Sequence, residues 1–176
     1  MKNSLAALAL ICAAGSAAAN IVNTVHLGNL TDKTFSIGKS FSPGSSFNDI
    51  YQFDIAAFSA VAGTAVTIDL DIPFFAGKEF SIENFSIAFR DSSDNLLAFD
   101  TQQNPTDFTV ALYTTLLAAT DYQFVVSGNV TGTLGGSYGG VLQAVAIPIP
   151  EPETYALFLA GLGLFGLVAY RRRRIL

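Results

Sequence analysis

Hydrophobic residues in the middle of this chain recur at every second position between residues 20 and 147, a spacing typical of half-buried β-strands. The clearest alternating runs lie at residues 65–72, 85–90, 108–112 and 122–126. In the first run we expect the apolar face to point into the core through Val66, Ile68, Leu70 and Ile72. Turn-forming residues separate the runs at residues 42–46, 91–95, 102–105 and 127–129. The pattern therefore predicts an all-β ectodomain over residues 20–147, folded as an antiparallel β-sandwich with a jelly-roll-like arrangement.

The first 19 residues have the three parts of a secretory signal peptide. Lys2 supplies the positive charge, residues 5–14 form the apolar helix, and three alanines at 17–19 provide a small-residue cleavage site. Signal peptidase is expected to cut after Ala19 and leave Asn20 as the first residue. Because Cys12 is the only cysteine, the exported chain would carry no thiol and no disulfide.

The pattern of the C-terminal segment, residues 148–176, predicts an extended spacer followed by a short membrane helix. Prolines at alternate positions keep residues 147–152 extended. The apolar run at residues 155–170 spans about 24 Å, which is short for a hydrocarbon core of about 30 Å. The cytoplasmic stop would be formed by Arg171, Arg172, Arg173 and Arg174. We expect a single transmembrane helix suited to a temporary anchor, with a permanent single-pass anchor as the alternative.

These parts together resemble a PEP-CTERM sorting signal. The resemblance rests on the motif Pro150, Glu151 and Pro152, the Gly-rich apolar helix and the terminal arginine cluster. It implies processing by an exosortase-type membrane peptidase of exopolysaccharide-producing Gram-negative bacteria. The precursor would be tethered transiently to the inner membrane, and the product would reach the cell surface or the medium.

An acidic residue stands among three aromatics in the run Phe47, Asp49, Tyr51 and Phe53, which share one strand face. The run resembles the signature of the FxDxF-type family of PEP-CTERM proteins. With the strand at residues 122–126 it is also similar, in fold only, to pre-peptidase C-terminal sandwiches. A buried carboxylate costs several kcal/mol unless it has partners. We expect Asp49 to cap a neighbouring turn through backbone N–H groups, with a calcium ligand as the alternative.

The remaining candidate chemistry is sparse. Residues 135–139 match the G-x-S-x-G nucleophile elbow around Ser137, but a strand-like run follows where the elbow needs a helix. The single histidine, His26, lies far upstream in a predicted strand. With one histidine and no cysteine after cleavage, zinc and thiol chemistry lack ligands. We expect no catalytic residue, no metal and no cofactor.

Acidic side chains are the other option for chemistry. Asp69 and Asp71 share a predicted strand face, and Asp91, Asp94 and Asn95 share a turn. Such groups could serve a glycosidase or hold calcium, although solvated surface acids are the expectation. Residues 20–154 carry four basic and fourteen acidic side chains. That balance excludes nucleic acid as a partner.

The sequence thus predicts an exported, non-enzymatic surface or extracellular-matrix protein associated with exopolysaccharide. Two alternatives stay open: a small secreted hydrolase that uses carboxylates, and a calcium-stabilised adhesion module. Tryptophan is absent, so any stacking on polysaccharide would use the tyrosines or phenylalanines.

Overall fold

A computed structural model describes residues 20–71, 73, 77–104, 107–148 and 152–173. The predicted signal peptide, residues 1–19, lies outside the described residues and stays a prediction. Nine strands and one helix are found among the described residues. They are β1 (Asn20–Asn29), β2 (Lys33–Phe41), β3 (Ser46–Ile55), β4 (Ser59–Ile68), β5 (Ile82–Arg90), β6 (Leu96–Thr101), β7 (Thr109–Leu116), β8 (Ala119–Val130), β9 (Gly136–Ala146) and α1 (Pro152–Arg173).

The strands form two sheets that face each other, which confirms the predicted all-β sandwich. The first sheet has the order β1-β3-β8-β5-β6 and the second the order β2-β9-β4-β7. Strand β1 runs parallel to β3, with Asn20 opposite Ser46. The other ladders between these strands are antiparallel. The prediction of a wholly antiparallel sandwich is therefore wrong for its first strand.

Aromatic rings from the five-stranded sheet fill the space between the two sheets. The largest fully buried side chains of this sheet are Phe53, Phe85, Phe89 and Phe124. On the facing four-stranded sheet, strand β4 presents mostly small residues to these rings. A Cβ atom added to Gly63 would lie 2.4 Å from Cε2 of Phe124, so this position has no room for a side chain. Large rings of the five-stranded sheet pack against small residues of β4, which gives this part of the interior its close packing.

Strand β4 turns the opposite face inward from the one we predicted. Val66, Ile68 and Leu70 are between 42% and 56% exposed, whereas Ala65 and Thr67 are buried. Ile72 lies outside the described residues. The rings of the first sheet leave space only for small inward residues on β4, and this overrides the hydrophobic alternation of the strand.

The prediction of a turn at residues 127–129 is also wrong, because these residues lie inside β8. Gly128 is needed there for close packing: an added Cβ would lie 2.6 Å from Cγ2 of Ile82 and 3.1 Å from Cζ of Phe47. Gly128 therefore allows neighbouring side chains to approach a strand closely, and the chain does not reverse its direction there.

Helix α1 begins at Pro152, as expected for a proline in the first helical turn. In the described part of the chain, no helix combines the length and the apolar character that crossing a membrane requires. The transmembrane helix predicted over residues 155–170 is therefore not supported. Glycines at 161, 163 and 166 interrupt the apolar run, and charged residues stand near both helix ends.

Candidate functional sites

The four residues of the aromatic–acidic run on β3 all point between the sheets, which confirms that they share one face. Phe47, Tyr51 and Phe53 are buried, and Asp49 is 0% exposed. A strand places alternate side chains on the same face, so this run presents a carboxylate to the interior with an aromatic neighbour on each side.

Asp49 is paired with two side chains from the opposite sheet. The hydroxyl of Tyr138 donates a hydrogen bond of 2.6 Å to Oδ2 of Asp49. The ammonium of Lys39 lies 3.1 Å from Oδ1. Lys39 on β2 and Tyr138 on β9 are direct cross-strand partners, so the sheet register brings them to the carboxylate together. This arrangement satisfies a charge that would otherwise be costly to bury.

A second tyrosine extends this cluster. The hydroxyl oxygens of Tyr51 and Tyr138 are 2.8 Å apart. Because Tyr138 uses its only hydroxyl proton on Asp49, Tyr51 is the donor in this pair. Burial is the main cause that raises the pKa of Tyr51, and it also raises the pKa of Tyr138, with further increases from the hydrogen bonds to Asp49 and Tyr51. Both phenols therefore stay protonated at neutral pH and serve as donors.

Aromatic rings enclose the charged pair on one side. Phe41 and Phe47 stack with centroids 4.0 Å apart, and Phe47 stacks on Tyr138 at 5.5 Å. The Lys39 ammonium lies 5.4 Å from the centroid of the Phe41 ring, in a cation–π position. The Lys39 side chain is 33% exposed, so the ion pair lies between the aromatic core and solvent.

These contacts correct the role expected for Asp49. The carboxylate does not cap a neighbouring turn. It accepts hydrogen bonds from side chains of the opposite sheet, because the register between β2 and β9 places both donors beside it. The calcium alternative is not supported either, since the Lys39 ammonium lies where a cation would bind. Among the described residues, no group of three or more His, Cys, Asp or Glu side chains could hold a metal ion.

The other acidic candidates are dispersed. Strand β4 ends at Ile68, so Asp69 and Asp71 lie beyond it and do not share a strand face as predicted. Asp69 forms an ion pair with Lys78. In the turn after β5, Asp91 accepts hydrogen bonds from the backbone and side chain of Asn95, and its pKa is lowered mainly by the Asn95 side chain.

Ser137 and His26 do not form a catalytic pair. Ser137 lies inside β9, where strand rather than helix follows it. His26 lies on β1, which belongs to the other sheet. The strand–turn–helix geometry that exposes a nucleophile elbow is therefore missing around Ser137.

The sorting segment is described in part. Pro150, Glu151 and Arg174 lie outside the described residues, and Pro152 is the first residue of α1. Along the helix, Leu157, Phe158 and Phe165 are exposed. These apolar side chains have a solvent-facing surface without any sheet packed over them.

Sequence reasoning missed Lys39 and Tyr138 as partners of Asp49. They stand 10 and 89 residues away along the chain, and no local motif links them. The sequence contained only an indirect sign of these partners. A carboxylate on an aromatic strand face needs a hydrogen-bond donor or a counter-ion, and residues 20–154 include only four basic side chains that could act as the counter-ion.

Comparison with known proteins gives a family match and several solved structures of low sequence identity, among them the two described below. The family model of the PEP-CTERM protein-sorting motif matches residues 148–174. No curated protein matches the chain. The pre-peptidase C-terminal domain of a collagenase from Bacillus anthracis is 13% identical, with 69% of this chain and 93% of that chain covered and a TM-score of 0.42. The g-type lysozyme inhibitor PliG from Aeromonas hydrophila is 12% identical, with 71% and 100% covered and a TM-score of 0.34.

Proposed function

We propose that this chain, which carries a PEP-CTERM sorting motif, is a non-enzymatic protein of the cell surface or extracellular matrix. Its precursor is held at the inner membrane through the C-terminal segment until an exosortase-type peptidase cuts near Pro150, Glu151 and Pro152. The released sandwich then joins the exopolysaccharide outside the cell. The observation that carries this proposal is the match of residues 148–174 to the sorting motif.

The exposed apolar side chains of α1 support the membrane step. Leu157, Phe158, Leu164 and Phe165 are each at least 67% exposed, and they would be costly to leave in water. Arg171 at the far end of the helix is exposed and can contact anionic lipid head groups. Lipid contact therefore offers this helix a stable environment before processing.

A non-enzymatic role is supported by what the candidate groups do in the fold. Asp49 is enclosed with Lys39 and Tyr138 as an inter-sheet pair, and Ser137 lies within a strand. The hydrolase alternative needs two free carboxylates at one cleft. Asp69 is instead paired with Lys78, and Asp94 lies 3.1 Å from Arg90.

The test replaces Pro150, Glu151 and Pro152 with alanine in a host that has the sorting peptidase. We expect the wild-type chain to lose its arginine cluster and leave the membrane fraction, whereas the triple variant stays full-length there. Mass spectrometry of the C-terminus and fractionation into membrane, surface and medium give the result.

The matched control is Pro148→Ala, which removes a proline from the same segment but leaves Pro150, Glu151 and Pro152 intact, and it should be processed as the wild type is. A host without the peptidase should accumulate the wild-type precursor. A wild-type protein that keeps its arginine cluster throughout growth in the competent host would show a permanent anchor and overturn the proposal.

A further inference from the structure

A groove of about 570 Å³ lies on the outer face of the five-stranded sheet. Four adjacent strands, β3, β8, β5 and β6, supply its floor and walls. It lies on the opposite side of this sheet from the Asp49 cluster, because outward positions alternate with the buried ones. It is open to solvent and does not belong to the sorting segment.

The floor of the groove is an apolar strip that crosses the strands. Ile50 lies opposite Val125, Val125 opposite Ala88, and Ala88 opposite Phe99. Val125 and Ala88 are buried, while the Phe99 ring is 54% exposed at the end of the strip. The strip therefore ends in an aromatic face on which a flat ligand can pack.

Polar side chains border the strip on one side. Asn48 lies opposite Ser127, and Ser127 opposite Ser86. The hydroxyls of the two serines are 2.8 Å apart and keep further hydrogen-bonding capacity. Oδ1 of Asn48 is buried and has no hydrogen-bond partner among the described residues. A buried acceptor without a donor is uncommon in folded proteins, and a ligand hydroxyl could supply the donor once the amide rotates.

The other side of the strip carries an amide and a neutralised charge. Gln123 lies opposite Arg90, and the Arg90 guanidinium is 3.1 Å from a carboxylate oxygen of Asp94. The groove therefore has no free net charge of its own. The surrounding domain is acidic, so an anionic ligand would be repelled and a neutral one would not.

We propose that this groove binds a neutral polysaccharide strand. A pyranose ring has apolar C–H faces and hydroxyls at its edge, and the groove offers an apolar strip with Phe99 between rows of amides and hydroxyls. The inference rests on the proposed function, since the released protein must meet such a polymer outside the cell. It adds the ligand class and the surface that binds it.

The test measures binding of neutral and acidic oligosaccharides to the full chain in a phosphocholine detergent without sugar head groups. Calorimetry with cellohexaose, laminarihexaose and mannohexaose should detect at least one complex with a Kd of about 1 mM or tighter. Hexamannuronate, an acidic probe, should bind more weakly. Failure of all three neutral probes would overturn the inference.

Two aromatic variants locate the site. Phe99→Ala should weaken binding about tenfold or more, because it removes the exposed ring from the strip. Tyr113→Ala is the matched control: this ring is 69% exposed on the outer face of the other sheet, and binding should stay within about twofold. Equal loss in both variants, or loss only in Tyr113→Ala, would contradict the assignment.

Asn48→Ala separates binding from folding. Since Oδ1 of Asn48 has no donor among the described residues, its removal should weaken glycan binding without lowering the melting temperature. A lower melting temperature with unchanged binding would make Asn48 a structural residue and count against the site. Normal C-terminal processing without glycan binding would refute only the glycan-binding role of the groove. Glycan binding by a protein whose C-terminus is not processed would refute the proposed sorting.

Discussion

The hydroxyl of Tyr138 donates a 2.6 Å hydrogen bond to the carboxylate of Asp49, and this contact joins the two sheets of the sandwich through their interior. Lys39, the cross-strand partner of Tyr138, binds the second carboxylate oxygen. The three side chains come from β2, β3 and β9. The contacts of Asp49 with Tyr138 and Lys39 therefore fix the position of one sheet relative to the other. Aromatic packing alone specifies that position less strictly.

Replacing Asp49 with alanine should destabilise the fold by about 2–3 kcal/mol. The variant leaves the buried Tyr138 hydroxyl without its acceptor and the Lys39 ammonium without its counter-ion. Lys39 can still reach water, which limits the loss. Urea unfolding of the full chain in detergent, followed by tyrosine fluorescence, gives the midpoint.

The control for Asp49 is Asp71→Ala, which removes an exposed carboxylate beyond β4 and should leave the midpoint unchanged. If both variants unfold at the wild-type midpoint, with or without added calcium, the inter-sheet pair has no structural value.

Alkaline pH should weaken the fold through Tyr138. Burial, followed by the hydrogen bond to Asp49, raises the pKa of Tyr138 above its ordinary value of 10.0. Above pH 10 the unfolded chain loses a phenol proton that the folded chain keeps. The stabilisation is therefore complete below pH 10 and declines as the pH rises beyond it.

Urea midpoints between pH 8 and 11 measure this effect. Tyr138→Phe should lower the midpoint at pH 8 and flatten its decline at higher pH. Tyr113→Phe removes an exposed tyrosine and should keep the wild-type decline. A Tyr138→Phe profile parallel to that of the wild type would rule out this tyrosine as a source of the alkaline loss.

Gly63→Ala should cost about 1–3 kcal/mol, because its methyl group would overlap the ring of Phe124 in the packed core. Gly139→Ala is a close control. It lies on the neighbouring strand β9, and no atom lies within 4 Å of its added Cβ. We expect the control to unfold at or slightly above the wild-type midpoint; equal destabilisation of both variants would refute the packing argument.

The exported protein should begin at Asn20, which is also the first residue of β1. N-terminal mass spectrometry of protein from the medium tests this directly. Changing Ala17 and Ala19 to glutamine should block cleavage, because signal peptidase requires small residues there. Secreted protein that still begins near Met1 would contradict the prediction.

The sequence predicted which segments become strands better than it predicted which side of each strand faces the core. The alternation at residues 85–90 and 122–126 agrees with the structure, in which Phe85, Phe89 and Phe124 are buried, because one apolar face of each strand is covered by the other sheet. On β4 the same reasoning chose the wrong face, since the size of the facing rings, and not local hydropathy, decides what fits opposite them. Gly63 was the local sign of that constraint.

The Asp49 site was predicted only in part. Its burial followed from the aromatic strand face, but its donors depend on the register between β2 and β9 and on the packing of two sheets. Local sequence does not encode such contacts between distant residues. The outer groove was missed for a similar reason: Asn48, Ser127 and Phe99 line one groove only when the four strands β3, β8, β5 and β6 lie side by side.

The short connection between the sandwich and the helix would limit which enzyme can reach the proposed cleavage site. Strand β9 ends at Ala146 and α1 begins at Pro152. Even fully extended, the intervening chain reaches only about 22 Å, less than the diameter of about 30 Å of a small globular domain. If α1 lies at the lipid as proposed, a soluble protease of that diameter would have no clearance beneath the folded sandwich. An enzyme whose cleft opens at the membrane surface could still cut there, so the short connection would favour the proposed sorting peptidase over soluble proteases.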